Sequence, residues 1–537
     1  MTYKLFLSLF FSITITQNFI YDSEDWLFIK KSKFINSITE GPFDLFFGTP
    51  NGIYTYNFMD KIFYFDYQLN RGLEMDEDIL CIHYDNYSNQ IWVISKNYIY
   101  YKNPIFNSYG IIPVNYDDFD DIIKIGTNNN YLVIETSINK YIYDTFSGNE
   151  MDDIDFKAIS NVSQNTSIFN SKIEQNLSSF YAENWIVGFS SITDVYGNTE
   201  KITVNYKDSE NNLWFGTSKG RLLLGYGFSK KLNVIDIGPA SEKITSFEKD
   251  QNGNWYLARA HFRVTGILNH FNYMNESIPF LSIWNEHTND WNYLYDSDFS
   301  GINNPDINYL YMISDQCLAL GTMNGLILIS IEDPNEYKII DMSDGLDDSA
   351  IFKIQYSDDK LYAMTSETVS VYSMLSETVI QKDLLKENNI INTNVYDIIV
   401  DKNILYFSLD RGLFQYNITK RELNKISDLK LYEIHKLDNF IYGSDNFIYE
   451  INLNNFSERI IVDFAPRNFE LSENYIWLNY GQSLKLINLT TGNEWIYDQN
   501  DGLINLEIFD IYDNRNEILL LTNKGLIAYD WKKYHTD

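Results

Sequence analysis

At 537 residues the chain is too long for one ordinary hydrophobic core, so it must divide into domains or run as a large repeat array. Hydrophobic residues make up 45% and charged residues 21%, which excludes a disordered chain, and the 10 Trp, 42 Tyr and 35 Phe suit pleated sheet rather than helix bundles. A formal charge of -33 repels phosphate backbones and anionic membrane surfaces, which excludes nucleic acid as a partner.

The chain opens with Lys4 and an apolar run from Leu5 to Ile15, the pattern of a secretory signal peptide over 1–16 and too short to span a bilayer. Export follows, and no later apolar run is long enough to insert the mature chain in a membrane. Cys81 and Cys317 stand alone and far apart, so they read as buried apolar thiols and not as a disulfide framework.

A repeat starts soon after. Its best copies are Leu45-Phe-Phe-Gly-Thr-Pro-Asn-Gly-Ile-Tyr54, Leu213-Trp-Phe-Gly-Thr-Ser-Lys-Gly-Arg-Leu222, Leu318-Ala-Leu-Gly-Thr-Met-Asn-Gly-Leu-Ile327, Leu405-Tyr-Phe-Ser-Leu-Asp-Arg-Gly-Leu-Phe414 and Ile518-Leu-Leu-Leu-Thr-Asn-Lys-Gly-Leu-Ile527. Each reads as a strand, a tight turn and a second strand. Gly52, Gly220, Gly325, Gly412 and Gly525 occupy turn positions that demand positive φ.

Weaker copies bring the fourth residues of the motif to 48, 94, 135, 216, 257, 321, 364, 408, 443, 479 and 521. Most intervals lie near 42, the length of one four-stranded propeller blade. The fold expected is an all-β β-propeller of eleven to twelve repeats, arranged as two propellers of about six blades each. The 81-residue interval predicts a degenerate unit or connection at 156–205, and the 64-residue interval an inserted loop at about 259–279. An orphan outer strand at Asp25-Trp-Leu-Phe-Ile29 complements the last unit, which stops after its third strand; the N-terminal strand therefore closes the last blade. The domains expected are first propeller units at 17–155, the 156–205 segment, a second propeller at 206–430, and last units at 431–537 that close the first propeller with the N-terminal strand.

Trp92, Trp214, Trp255 and Trp477 share one place in their repeats, which argues for packing between blades. His261, Arg263 and His270 share the inserted loop, and Tyr273 and Trp284 fall outside the repeated aromatic positions. These five are the candidate ligand-binding residues, with the two aromatics offering a sugar-stacking face. Acidic turns such as Asp208 to Asn212 lack the alternation of a calcium loop and read as hairpin turns. No nucleophile elbow, phosphate loop or zinc helix occurs, so no catalytic residue, metal or cofactor is assigned.

The phrase Asp208-Ser-Glu-Asn-Asn-Leu-Trp-Phe-Gly-Thr-Ser-Lys-Gly220, with Asp344-Gly345-Leu346 and Asp501-Gly502-Leu503, resembles the two-component-regulator propeller repeat. That repeat occurs in periplasmic sensor regions of hybrid histidine kinases and in PorZ-like propellers of type IX secretion. The resemblance implies paired propellers that recognise carbohydrate or scaffold an envelope complex. The function expected is an exported, non-catalytic binding or scaffold protein of the periplasm or outer cell surface, with a carbohydrate or an envelope protein as partner. The competing expectation is a propeller glycoside hydrolase or lyase acting through carboxylates on a channel rim.

Overall fold

The computed structural model describes residues 26–535 except 71–72, 74–77, 104–108, 115–121, 129, 152–164, 170–176, 260–278, 301–305, 502, 504–505 and 515–516. Its strands form antiparallel sheets, most of them four-stranded meanders in which sequential strands pair with their neighbours. The turn glycines behave as their positions demand: φ is 138° at Gly52, 88° at Gly220, 125° at Gly325, 118° at Gly412 and 125° at Gly525. The acidic turns are held by their own carboxylates. Asp208 accepts the Asn212 amide at 2.7 Å and the Trp214 indole N–H at 2.9 Å, which ties the turn to the core.

Successive sheets face each other across shared apolar clusters. Leu310, Leu318 and Leu320 join sheet 244–294 to sheet 307–340; Leu326, Ile354 and Leu361 join the latter to 353–381. The same pattern continues through 395–427, 433–462, 468–497 and 508–529. The ring then closes, because Leu519, Leu521 and Leu526 of the last sheet pack on Ile244, Trp255 and Leu257 of the first. Among the described residues this ring has seven sheets.

The N-terminal strand Trp26–Ile29 completes the seventh sheet, pairing antiparallel with Gly525–Tyr529 from Trp26↔Tyr529 to Ile29↔Leu526. Trp26 stacks on Tyr529 with ring centroids 4.0 Å apart. This closure removes the exposed edge that the last sheet would otherwise present.

The other sheets, 37–65, 79–113, 122–144 and 185–235, surround a short strand, Thr166–Ile168, which pairs with Ser37–Glu40 and touches the inner strands of the rest. The expectation of two six-bladed rings gives way here to seven sheets and four among the described residues. The sheets of 431–529 continue the ring begun at 244 and do not close the first one; only the strand at 26–29 crosses over. Segment 156–205 is no separate blade in its described residues. It supplies the axial strand and a hairpin, Trp185–Val187 and Ser191–Asp194, that extends the sheet of Thr199–Lys207. Repeat counting sees hairpins, and where the larger ring closes is decided by contacts between residues hundreds of positions apart.

Two chain crossings, 30–36 and 236–243, run side by side between the rings, with the Ser32 hydroxyl donating to the carbonyls of Gly220 and Ile237. Beside them Arg221 forms ion pairs with Glu200 and Asp236 and lies over the rings of Trp185 and Tyr293. Tyr196 of the first ring stacks on Tyr295 of the second at 4.0 Å and donates to Asp298 at 2.7 Å. Trp92, Trp214, Trp255 and Trp477 are all fully buried, as repeated core positions should be.

Candidate functional site

Of the sequence-derived candidates, His261, Arg263, His270 and Tyr273 lie outside the described residues. Trp284 is described, and it is buried in Leu281–Asn285 at 7% exposure, between Trp255 (5.9 Å) and Trp291 (5.8 Å, stacked). It is a core residue and offers no sugar-stacking face. It belongs to the repeat after all, standing opposite Trp255 in the register.

The two rings differ at their axes. In the smaller one the Thr166 hydroxyl donates to Thr39 at 2.8 Å and accepts from His83 Nδ1 at 2.6 Å, and His83 Nε2 meets Thr127 at 3.0 Å. Burial drives the His83 pKa down to about 4, so the ring is neutral and fully engaged. That axis is filled by side chains and an extra strand.

In the larger ring the first strand of each sheet lies next to the first strand of the following sheet. At the start of these strands stand Thr245, Asn308, Phe352, Tyr396, Tyr432, Arg467 and Phe509. Phe352, Tyr396, Arg467 and Phe509 each lie twelve positions before the fourth residue of their hairpin motif, at 364, 408, 479 and 521. Phe352 and Phe509 are each 41% exposed and Tyr432 is 61% exposed. Tyr396 meets Tyr432 edge to face at 5.1 Å. Four neighbouring sheets among five thus place an aromatic ring at one rim of the axis. Arg467 fills the remaining place and pairs with Glu507 at 3.0 Å.

One residue deeper comes a polar layer: Ser246, Tyr309, Lys353, Asp397, Glu433, Asn468 and Asp510. The next residues, among them Leu310, Ile354, Ile398, Ile434, Phe469 and Ile511, are buried between sheets, the alternation a pleated strand imposes. Below them lie Glu248, Tyr311, Gln355, His435, Glu470 and Tyr512.

Polar bridges stitch the inner strands together. Lys353 Nζ meets Asp397 at 2.5 Å, and the other Asp397 oxygen accepts the Ile434 amide at 3.0 Å. His435 lies 3.1 Å from Glu433 and 3.2 Å from Glu470, and Asn468 donates to Asp510 at 2.7 Å. Burial opposes charge on His435, yet Glu470 and Glu433 outweigh it and hold its pKa up at about 10. Burial raises the Glu248 carboxyl to about 7. Burial and then Glu433 raise Asp510 to about 7 as well. Burial, and then Asp510 of the same strand, push the Tyr512 hydroxyl well above its ordinary value. Among the described residues no group of three or more His, Cys, Asp or Glu is arranged to hold a metal ion.

Fold and site together define a β-propeller protein whose larger ring carries an aromatic rim over an acid-rich floor. No family model and no curated protein matches the sequence. Solved structures similar to the chain include the extracellular domain of a putative hybrid two-component system from B. thetaiotaomicron, at 14% identity and TM-score 0.41, covering 93% of this chain and 71% of that one. PorZ, a bacterial surface component of the type-IX secretion system of Porphyromonas gingivalis, is similar at 10% identity and TM-score 0.45, covering 94% and 87%. A second extracellular domain of a putative hybrid two-component system from B. thetaiotaomicron aligns at 12% identity and TM-score 0.31, covering 94% and 82%. These are the kinds of protein to which the repeat resemblance pointed. The functional reading below rests on this chain's own residues.

Proposed function

We propose that the protein is an exported, non-catalytic β-propeller of the bacterial cell envelope, in the periplasm or on the outer surface, that binds a glycan at the aromatic rim of its larger ring. The observation that carries this reading is the exposure of Phe352, Tyr432 and Phe509 at equivalent repeat positions. Burial does not account for them, since the core of each sheet is already supplied two residues along, by Ile354, Ile434 and Ile511. Flat aromatic faces pack on the C–H faces of sugars, and the amides and carboxylates beneath offer acceptors and donors for hydroxyls. Among the described residues no helix is long and apolar enough to cross a membrane.

The test is a glycan array and polysaccharide pull-down on the mature chain, repeated with the double variant Tyr432→Ala, Phe509→Ala. Binding that the double variant loses supports the reading. Equal binding by both proteins, or capture only of an envelope protein, removes the rim from the function.

A second reading is favoured by one observation: Asp510, raised to about 7 by burial and then by Glu433, retains a proton near neutral pH beside another carboxylate, the pairing of unlike acids that glycoside hydrolysis uses. Mass spectrometry of each bound saccharide decides it, because turnover abolished by Asp510→Asn would make the protein an enzyme.

A further inference from the structure

We infer, resting on the glycan reading above, that the mouth of the larger ring selects saccharides free of acidic groups and turns uronates and sulfates away. The argument is one of charge placement at the rim and floor.

Every inner strand contributes to the count. The strand Ile244–Lys249 brings Glu248, with Lys249 turned to Glu286 at 2.9 Å. Ile307–Ser314 brings only Tyr309 and Tyr311 as titratable groups in its first five residues. Lys353–Ser357 brings Lys353, Val395–Asp401 brings Asp397, and Glu433–Leu437 brings Glu433 and His435. Asn468–Ser472 brings Glu470 with Arg467 just before it, and Ile508–Asn514 brings Asp510 with Glu507 just before it.

Each cation deeper than the exposed Lys243, which stands just before Ile244, already has an acidic partner. Lys353 holds Asp397, Arg467 holds Glu507, and His435 is shared by Glu433 and Glu470. The carboxyls left without a cation of their own are Glu248, Asp510 and one of the two acids that share His435. A ligand carboxylate or sulfate entering over Tyr432 and Phe509 therefore meets like charge. To win Lys353 or His435 it would have to strip the cation from a buried carboxylate, which leaves that carboxylate unpaired. Hydroxyls and N-acetyl groups face no such penalty, because the same carboxylates accept their hydrogen bonds. The field of the whole chain, at formal charge -33, has the same sign and adds to the effect.

The acids that repel also titrate. Glu248 and Asp510 take up protons as pH falls through about 7, which removes part of the repulsion. Discrimination is thus strongest above neutrality and weakens in mild acid.

The experiment compares matched probes on the whole mature chain: a cello-oligosaccharide and its C6-oxidised counterpart, a galacto- and a galacturono-oligosaccharide, and unsulfated and sulfated chondroitin. At about pH 7.5 and about 0.15 M salt, where exposed charges act over roughly 8 Å, the less acidic member should bind at least about tenfold more tightly. Near pH 5.5 the ratio should fall, and Glu248→Gln with Asp510→Asn should lower it at pH 7.5 while the chain stays folded by circular dichroism. An acidic member that binds as tightly as its partner at pH 7.5 overturns the charge rule and leaves the glycan reading standing. Failure of every probe to bind, or binding untouched by Tyr432→Ala with Phe509→Ala, overturns both.

Discussion

Tyr432 and Trp284 show how burial separates two aromatic residues that look alike in sequence. Tyr432 is 61% exposed at the rim and Trp284 is 7% exposed between two other indoles. Tyr432→Ala should leave the melting temperature nearly unchanged and weaken glycan binding, whereas Trp284→Ala should cost about 3–5 kcal/mol of stability in chemical denaturation. Proton affinity gives a second residue-scale expectation. A carboxyl raised from 4.5 to about 7 on folding favours the native state below its ordinary value and loses that contribution as pH rises through about 7. The melting temperature of the wild type should therefore decline between about pH 4.5 and pH 7.5, and Glu248→Gln should flatten part of that decline. A slope unchanged in the variant would remove Glu248 as its source. The rim itself was legible in principle, since Phe352, Tyr396 and Phe509 stand twelve positions before the fourth residue of their hairpin motif and Tyr432 eleven before Gly443. What hid it is that equal spacing does not say whether a position faces a neighbouring sheet or an opening.

At the scale of the element, the closing strand and its turn were readable because local chemistry dictates them. Gly525 has φ near 125°, and a Cβ there would stand 2.3 Å from the Ile29 carbonyl oxygen, inside the pairing that joins the N-terminal strand to the last sheet. Gly525→Ala combines a left-handed strain with that clash and should cost on the order of 2 kcal/mol or more. Trp26→Ala should cost about 3–5 kcal/mol, since the indole is buried against Tyr529. Both losses would appear as earlier thermal unfolding, and a Trp26→Ala protein as stable as wild type would mean that the strand contributes nothing to closure. The axial strand Thr166–Ile168 was not readable. It has three residues and no hairpin, and it exists because a ring of four sheets leaves an axis that one more strand can fill.

At the scale of the molecule, Arg221 joins two rings that are also connected by two chain crossings and by Tyr196 on Tyr295 and Asp298. Its guanidinium neutralises Glu200 and Asp236 and lies over Trp185 and Tyr293, so it fixes the angle between the rings by charge and by stacking. Arg221→Met would leave two carboxylates unpaired in a largely buried place, at a cost of about 3–5 kcal/mol. Calorimetry should then resolve separate unfolding of the rings. Arg221→Lys should rescue little, because an ammonium cannot serve both acids and lie flat on the indole. A single unshifted transition in either variant would show that Arg221 does not couple the rings.

Composition, repeat length and turn chemistry by themselves determined the all-β propeller class, the positive-φ glycines, the buried tryptophans and the closure of the last sheet by the N-terminal strand. Each follows from forces that act within a few residues or from a pattern that recurs at a fixed interval. Tertiary structure alone decided the division into seven sheets and four among the described residues, the burial of Trp284, and the convergence of Lys353, Asp397, Glu433, His435, Glu470 and Asp510 on one axis. Those depend on which sheet packs beside which, and that choice is made by complementary apolar surfaces far apart in the chain.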